Sequence, residues 1–293
     1  MKIGILTYDD EWAEELIHNL SVLLPDVKTE IIGISNMNLD ACMEYRIILD
    51  RQSYLDPYLR CAMKHAAIHG TYVINNPFSC SLDDKFFFYG IARKLKFQVP
   101  KTLMLPPFDP DYEFGHVIPQ LSWEWVEKEI RFPAVLKPVN GYAWRNVYFV
   151  NNIEELKEIY KQTGSETMLL QEKVNYEEYV RAFVVGKKAV LPVKYLPSER
   201  KYFSMENFLC EKMKEKIRKI CVKLNTILDY DINTVEIGIE SGIPYLIDFS
   251  NYVPEIKRYN LPIECYHWVV DRITELIVNY ARNPKRNRNM FPI

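Results

Sequence analysis

The chain has 293 residues, 48% hydrophobic and 26% charged, enough for two or three cooperating subdomains around sizeable cores but not for several independent domains. A formal net charge of -2 leaves no electrostatic footprint for nucleic acid or for an anionic membrane surface. Six scattered cysteines, with no C-x-x-C pair and no histidine at metal-ligand spacing, fit reduced thiols in a cytoplasmic protein.

The opening MKIGILTYDD reads as a short strand rather than a signal peptide. No apolar run approaches the roughly 20 residues needed to cross a bilayer. Through residue 80 strand and helix signals alternate: KIGILTY, an amphipathic run from Asp10 to Leu24, TEIIGI, YRIILD, the helical YLDPYLRCAMKHAAIHG, and TYVIN closed by Asn-Pro. That order predicts a small parallel α/β domain over 1-80, with Asp50 and Arg51 at a strand end where open parallel sheets bind ligands. Capping of a loop is the competing role for both residues.

A central region, 81-174, follows. DKFFFYGIARKL reads as a helix, and from about residue 100 come the strand VPKTLML and a proline-rich connection. Ser122 is placed to cap the helix WEWVEKEI, and the hairpin FPAVLKPVNGYAWRNVYFV comes next. Asn152 starts IEELKEIYKQ, and TMLLQEKV returns as a strand. The order is strand, helix, strand, strand, helix, strand.

The C-terminal part, 175-293, opens with EYVRAFVVGKKAVLPVKYL, two strands about a Gly-Lys turn. An amphipathic helix is expected from Met205 through Phe208 and Leu209 to Ile227. TVEIGIESGIPYLIDFS then reads as a hairpin about Ser241-Gly242, and a last amphipathic helix precedes a basic tail, PKRNRN.

Three places carry chemistry. Lys137 ends a valine- and leucine-rich strand, so its ammonium must snorkel outward or find a partner, and beside the following turn it suits a phosphate oxygen. In a regular last hairpin Glu236 and Asp248 share one side, with Asn251 beyond, a set of hard oxygen ligands suited to magnesium on a nucleotide's phosphates; two exposed acids on an edge strand are the competing reading. In LLQEKVNYEEYVRAF a strand ends at Gln171, Glu172, Lys173 and Val174 and bends toward Glu178, a place for an adenine edge and ribose hydroxyls. Arg181 on the next strand and Arg145 in the hairpin loop are candidates for charge stabilisation or for binding a substrate carboxylate, and salt bridging to a neighbouring acid is equally open to each. The histidines show no partner pattern.

Taken in order, a lysine after a strand, a Glu-Lys-apolar bend with a second glutamate, and an acidic hairpin ending in Asp and Asn resemble the ATP-grasp superfamily, over about residues 80 to 260. The resemblance implies an ATP-grasp fold of mixed α/β and α+β class, with an N-terminal parallel α/β domain and two α+β subdomains clasping ATP. It implies phosphate contacts from Lys85, Lys137, Gly141 of the loop and Lys194, an adenine-side hinge at Gln171, Glu172, Lys173 and Val174, and ribose binding by Glu178. Glu236, Asp248 and Asn251 would hold magnesium or manganese, with Ser250 as the alternative to Asn251. The loop after Lys137 has fewer glycines than the family's usual one.

The implied activity is an ATP-dependent carboxylate-amine ligase that forms an acyl phosphate and releases ADP. Its catalytic candidates are Arg181, Arg145 and Lys194, and Asn233 is expected to help shape the substrate pocket. The alternatives are an ATP-binding regulatory or scaffold module, or an ATP-grasp phosphotransferase. The expected partners are small-molecule carboxylates and amines and a second copy in a homodimer, with neither nucleic acid nor membrane, in the cytoplasm.

Overall fold

A computed structural model of the chain describes residues 1–8, 11–80, 84–108, 121–141, 144–203 and 208–288. In chain order they form β1 (Lys2–Leu6), α1 (Trp12–Leu23), β2 (Lys28–Ile31), β3 (Ile47–Asp50), α2 (Pro57–Ile68), β4 (Tyr72–Ile74) and the short α3 (Pro77–Cys80). Next come α4 (Lys85–Lys94), β5 (Thr102–Leu105), α5 (Trp123–Glu129), β6 (Ala134–Pro138), β7 (Tyr148–Val150), α6 (Ile153–Tyr160) and β8 (Met168–Glu172). The chain continues with β9 (Glu178–Val185), β10 (Ala189–Leu196), β11 (Lys201–Phe203), α7 (Glu211–Leu228), β12 (Ile232–Glu240), β13 (Ile243–Asn251) and α8 (Ile263–Arg282).

Contacts divide the chain into two compact units, one of Met1–Leu82, Tyr179–Ile237 and Asp248–Ile293, the other of Asp83–Glu178 and Gly238–Ile247. The sequence boundaries fell near 80 and 174. The last hairpin thus gives its tip to the second unit and its base to the first.

In the first unit, β2-β1-β3-β4 make a parallel sheet. Strands with consecutive buried apolar residues, such as Ile47, Ile48 and Leu49 of β3, belong in a sheet covered on both faces. The second sheet of this unit runs β11-β10-β9-β12-β13. Asn75, 4% exposed, ties β12 down: its Nδ2 donates to Ile232 O and Tyr252 O at 2.8 and 2.7 Å, and its Oδ1 accepts from Asp231 N and Ile232 N at 2.6 and 2.7 Å. Asp231, 1% exposed, accepts from Tyr72 and Tyr280 hydroxyls at 2.5 and 2.7 Å.

The second unit carries the sheet β5-β8-β6-β7, with antiparallel pairing throughout. One face of it, through Leu103, Leu105, Leu136 and Leu170, packs on Val126 of α5 and Leu156 of α6. Each such buried leucine contributes about 2 kcal/mol of transfer free energy. Local signals set the helix starts: Asp84, Ser122 and Asn152 side chains accept from Phe87, Trp125 and Glu155 backbone N–H groups. The strand and helix order expected for this region is the order observed.

One boundary moves. The helix expected from Met205 starts at Glu211, leaving Phe208 and Leu209 in an irregular segment; Met205 lies outside the described residues. Leu209 is buried all the same, and periodicity reports burial, which a loop residue packing inward satisfies equally well. Among the described residues no helix is long and apolar enough to cross a membrane.

Candidate functional site

Each unit gathers part of the expected set. In the second, β8 pairs with β6 so that Lys137 faces Leu169 and Val135 faces Gln171. Lys137 and Gln171 therefore project from the sheet face opposite the leucine core. Lys137 is only 9% exposed, and its Nζ donates to the Tyr89 hydroxyl at 2.8 Å, to Gln171 Oε1 at 2.9 Å and to Ile247 O at 3.4 Å. Tyr89 in turn donates to Ile247 O, and Gln171 Nε2 donates to Thr102 Oγ1 at 2.8 Å. The ammonium is thus held in place by neutral oxygen acceptors rather than snorkelling freely. Lys85, at the first turn of α4, stands four residues before Tyr89 and shares its helix face.

The bend after β8 is laced to the tip of the last hairpin. Glu177 N–H donates to Ile239 O at 2.9 Å, its carboxylate accepts from Ser241 N at 3.0 and 3.1 Å, and Asn175 N–H donates to Glu240 Oε1 at 2.9 Å. Ser241 and Gly242 both have positive φ, 51° and 74°, as the tight hairpin requires. Glu172 Oε1 accepts from Arg131 N at 3.2 Å, while Glu172 and Lys173 N–H groups donate to Lys101 O and Pro133 O. Lys173 is exposed, Val174 is buried, and Glu178 opens β9.

Gly141 sits partly exposed in the β6–β7 loop; the following Tyr142 and Ala143 lie outside the described residues. Trp144 and Asn146 take positive φ, 61° and 55°, and Asn146 Nδ2 donates to Glu166 Oε2 at 2.8 Å. Arg145 is exposed between them.

In the first unit the centre is Glu236. Arg181 Nε lies 3.1 Å from its Oε1, and the Tyr179 hydroxyl donates to its Oε2 at 2.6 Å. Arg181 and Glu236 side chains are 15% and 14% exposed. The Arg181 guanidinium also donates through Nη1 to the Tyr202 hydroxyl at 2.9 Å and lies over the rings of Tyr195 and Tyr202, 5.0 and 5.7 Å from their centroids. Burial works against its charge, but Glu236 and the phenols of Tyr202, Tyr195 and Tyr179 outweigh that, so its pKa is raised. Burial, then the Glu236 and Asp248 carboxylates, push the Tyr179 phenol well above its usual value, which places both acids in its field and keeps it a donor.

The remaining expectations divide. Val193 pairs with Arg181 and Lys194 with Val180, so alternation sets Lys194 on the opposite sheet face from Arg181. The two do not form one catalytic cluster. Strand β13 runs through Asn251, so Ser250 shares the face of Asp248 and Asn251 points to the other. Asn233 is fully buried, its Nδ2 donating to Asn225 Oδ1 and Phe249 O at 3.0 and 2.9 Å; it joins α7 to the hairpin rather than lining a pocket. Asp50 accepts from Gln52 N, Ser53 N and Ser53 Oγ and so caps the loop, whereas Arg51 donates to the sequence-distant Pro254 O at 2.8 Å and lies over the Trp12 ring.

The donors Glu236, Asp248 and a strand-end oxygen are all hard, the chemistry of a magnesium-like cation. Glu236 accepts one hydrogen bond, from Tyr179, and pairs electrostatically with Arg181, leaving lone-pair directions for a metal bond. Among the described residues no group of three or more His, Cys, Asp and Glu gathers for a metal. Sequence reading missed the tyrosines, Tyr89, Tyr179, Tyr195 and Tyr202. The one local signal was Tyr179-x-Arg181, two residues apart on one strand and so on one face.

No family model matches the chain. It is 26% identical over 142 residues to the alpha-aminoadipate--LysW ligase LysX of Saccharolobus solfataricus, a stretch covering 45% of this chain and 51% of that protein. The match thus spans about half the length of that curated relative. Its fold is similar to D-alanine--D-alanine ligase from Bacillus anthracis complexed with ATP, at a TM-score of 0.66 and 17% identity over 97% of this chain and 99% of the other. It is also similar to an ATP-grasp RimK domain protein from Sphaerobacter thermophilus, at a TM-score of 0.65 and 15% identity over 93% and 99% of the two chains. At these identities the likeness to solved structures is one of fold.

Proposed function

We propose that this chain, whose fold is that of the ATP-grasp enzymes, is an ATP-dependent ligase that activates a carboxylate as an acyl phosphate and joins it to an amine. The observation that carries the reading is Lys137, a buried ammonium locked by Tyr89 and Gln171 on the sheet face away from the core. A rigid positive charge is what phosphoryl transfer asks of a protein, because most of its catalysis is positioning and charge neutralisation.

On this reading Lys137 and Lys85 bind phosphate oxygens, the backbone from Glu172 to Val174 meets the adenine edge, and Glu178 holds the ribose. Lys194, Gly141 and Arg145 are the further residues this reading assigns to the phosphates. A divalent cation, when bound by Glu236, Asp248 and an oxygen of Ser250 or Asn251, neutralises phosphate charge. The substrate carboxylate oxygen attacks the terminal phosphorus of ATP, the bond from that phosphorus to the bridging oxygen breaks, and ADP leaves. The amine nitrogen then attacks the acyl carbon and loses a proton as inorganic phosphate departs. The relatives' names, built on D-alanine and alpha-aminoadipate, make amino-acid carboxylates the first substrates to try.

Thermal melting with a non-hydrolysable ATP analogue and magnesium tests the nucleotide site; a raised Tm is expected, and no shift overturns the reading. ADP release across pools of amino-acid carboxylates and amines tests turnover. Release that needs both pools is the ligase outcome. Nucleotide binding without release from any pool favours a binding module instead.

A further inference from the structure

The Tyr179–Glu236–Arg181 arrangement goes beyond the set of ligands that the sequence suggests. Glu236 is a nearly buried carboxylate with a different partner at each oxygen: the Tyr179 hydroxyl donates to Oε2 at 2.6 Å, and the Arg181 guanidinium forms an ion pair 3.1 Å from Oε1. Tyr179 and Arg181 leave β9 on the same side, two residues apart, and Glu236 stands on the adjacent strand β12. Arg181 is itself immobilised by the Tyr202 hydroxyl and by the rings of Tyr195 and Tyr202. The hydrogen bond at one oxygen and the ion pair at the other therefore restrain rotation of the Glu236 carboxylate. A carboxylate rotated by its donors presents fixed remaining lone pairs, and a metal ion senses that orientation.

We infer that Tyr179 and Arg181 are positioning residues, which clamp the two Glu236 oxygens so that this carboxylate meets a divalent cation in a single orientation. The inference rests on the proposed nucleotide reading and assigns Arg181 away from the reacting atoms. Arg181 neutralises Glu236 when no cation is present, and Tyr179 fixes the carboxylate plane. A purely structural role would lower stability without changing how the folded protein takes up a cation.

The test is Mn2+ binding in the presence of a non-hydrolysable ATP analogue, read by the loss of free-Mn2+ electron paramagnetic resonance signal. It uses the full chain, the Tyr179→Phe and Arg181→Lys variants, and a melting curve on each to confirm folding. Outer partners of metal ligands typically cost about tenfold to hundredfold in metal affinity. Tyr179→Phe is expected to raise the Mn2+ dissociation constant about tenfold, with nucleotide affinity measured without metal unchanged. Arg181→Lys, which keeps the charge but loses the fork, is expected to fall between the two. If the unaltered chain binds no Mn2+ with nucleotide, the nucleotide reading fails. If it binds Mn2+ and folded Tyr179→Phe binds it equally well, the positioning role fails while that reading stands.

Discussion

Lys137 donates to Gln171 Oε1 at 2.9 Å although the two stand on neighbouring strands out of direct register, Lys137 opposite Leu169 and Gln171 opposite Val135. The diagonal reach works because both side chains are on one face and a lysine stem is long enough to cross it. The consequence is a charge whose position is fixed by the sheet.

That fixation makes partner removal worse than charge removal. Gln171→Leu leaves a buried ammonium short of an acceptor, and hydrogen bonds to charged groups are worth about 1.5–3 kcal/mol. Urea denaturation is expected to show a loss in that range for Gln171→Leu and a smaller one for Lys137→Met, which removes charge and demand together. Lys137→Met is expected to abolish the Tm rise with nucleotide.

Arg181 and Glu236 behave as a nearly buried pair, so each single change strands the other. Arg181→Met is expected to destabilise by about 3–5 kcal/mol. The double variant Arg181→Met with Glu236→Met is expected to recover most of this in a double-mutant cycle followed by chemical denaturation. Additive losses would show that the 3.1 Å contact carries no coupling.

Asn75 offers the sharpest stability test away from the proposed site. Its side chain makes four hydrogen bonds to backbone groups of Asp231, Ile232 and Tyr252 from a 4%-exposed position. At about 1 kcal/mol each, with further cost for buried groups left unpaired, Asn75→Ala is expected to lose on the order of 4 kcal/mol. Asn75→Asp is expected to do no better, because its oxygens cannot donate to the Ile232 and Tyr252 carbonyls.

Alkaline pH probes the buried phenols. Burial, followed by the charge of Asp231, raises the pKa of both Tyr72 and Tyr280. A raised folded-state pKa gives stability that is complete below the unfolded value, about 10, and is lost as pH climbs above it, because only the unfolded chain then releases the proton. Each such tyrosine steepens the loss by about 1.4 kcal/mol per pH unit. Unfolding free energies measured from pH 9 upward should fall less steeply in Tyr72→Phe than in the unaltered chain.

Reading along the chain recovers what is local. Helix starts at Asp84, Ser122 and Asn152 are legible because a cap acts within three residues, and the Ser241-Gly242 turn because positive φ there is a property of the turn itself. Lys137 stands out because a charge in an apolar strand needs a reason. The apolar run before α7 misleads, since periodicity records which residues are buried and not which are helical.

What only the tertiary structure decided is who meets whom. Lys194 and Arg181 look like one cluster in sequence, and strand register parts them onto opposite faces. Asn233, three positions before Glu236 on β12, is carried inward to Asn225 by α7 packing. Tyr179 meets Glu236 because sheet order sets β9 beside β12, Tyr202 reaches Arg181 from β11 across β10, and Tyr89 reaches Lys137 from α4. Sequence by itself determined the elements and the charged candidates, since propensity, capping and alternation act over a few residues. The pairings of those candidates depend on contacts between residues far apart in the chain, 110 positions between Lys137 and Ile247 and 203 between Arg51 and Pro254, which no local signal encodes.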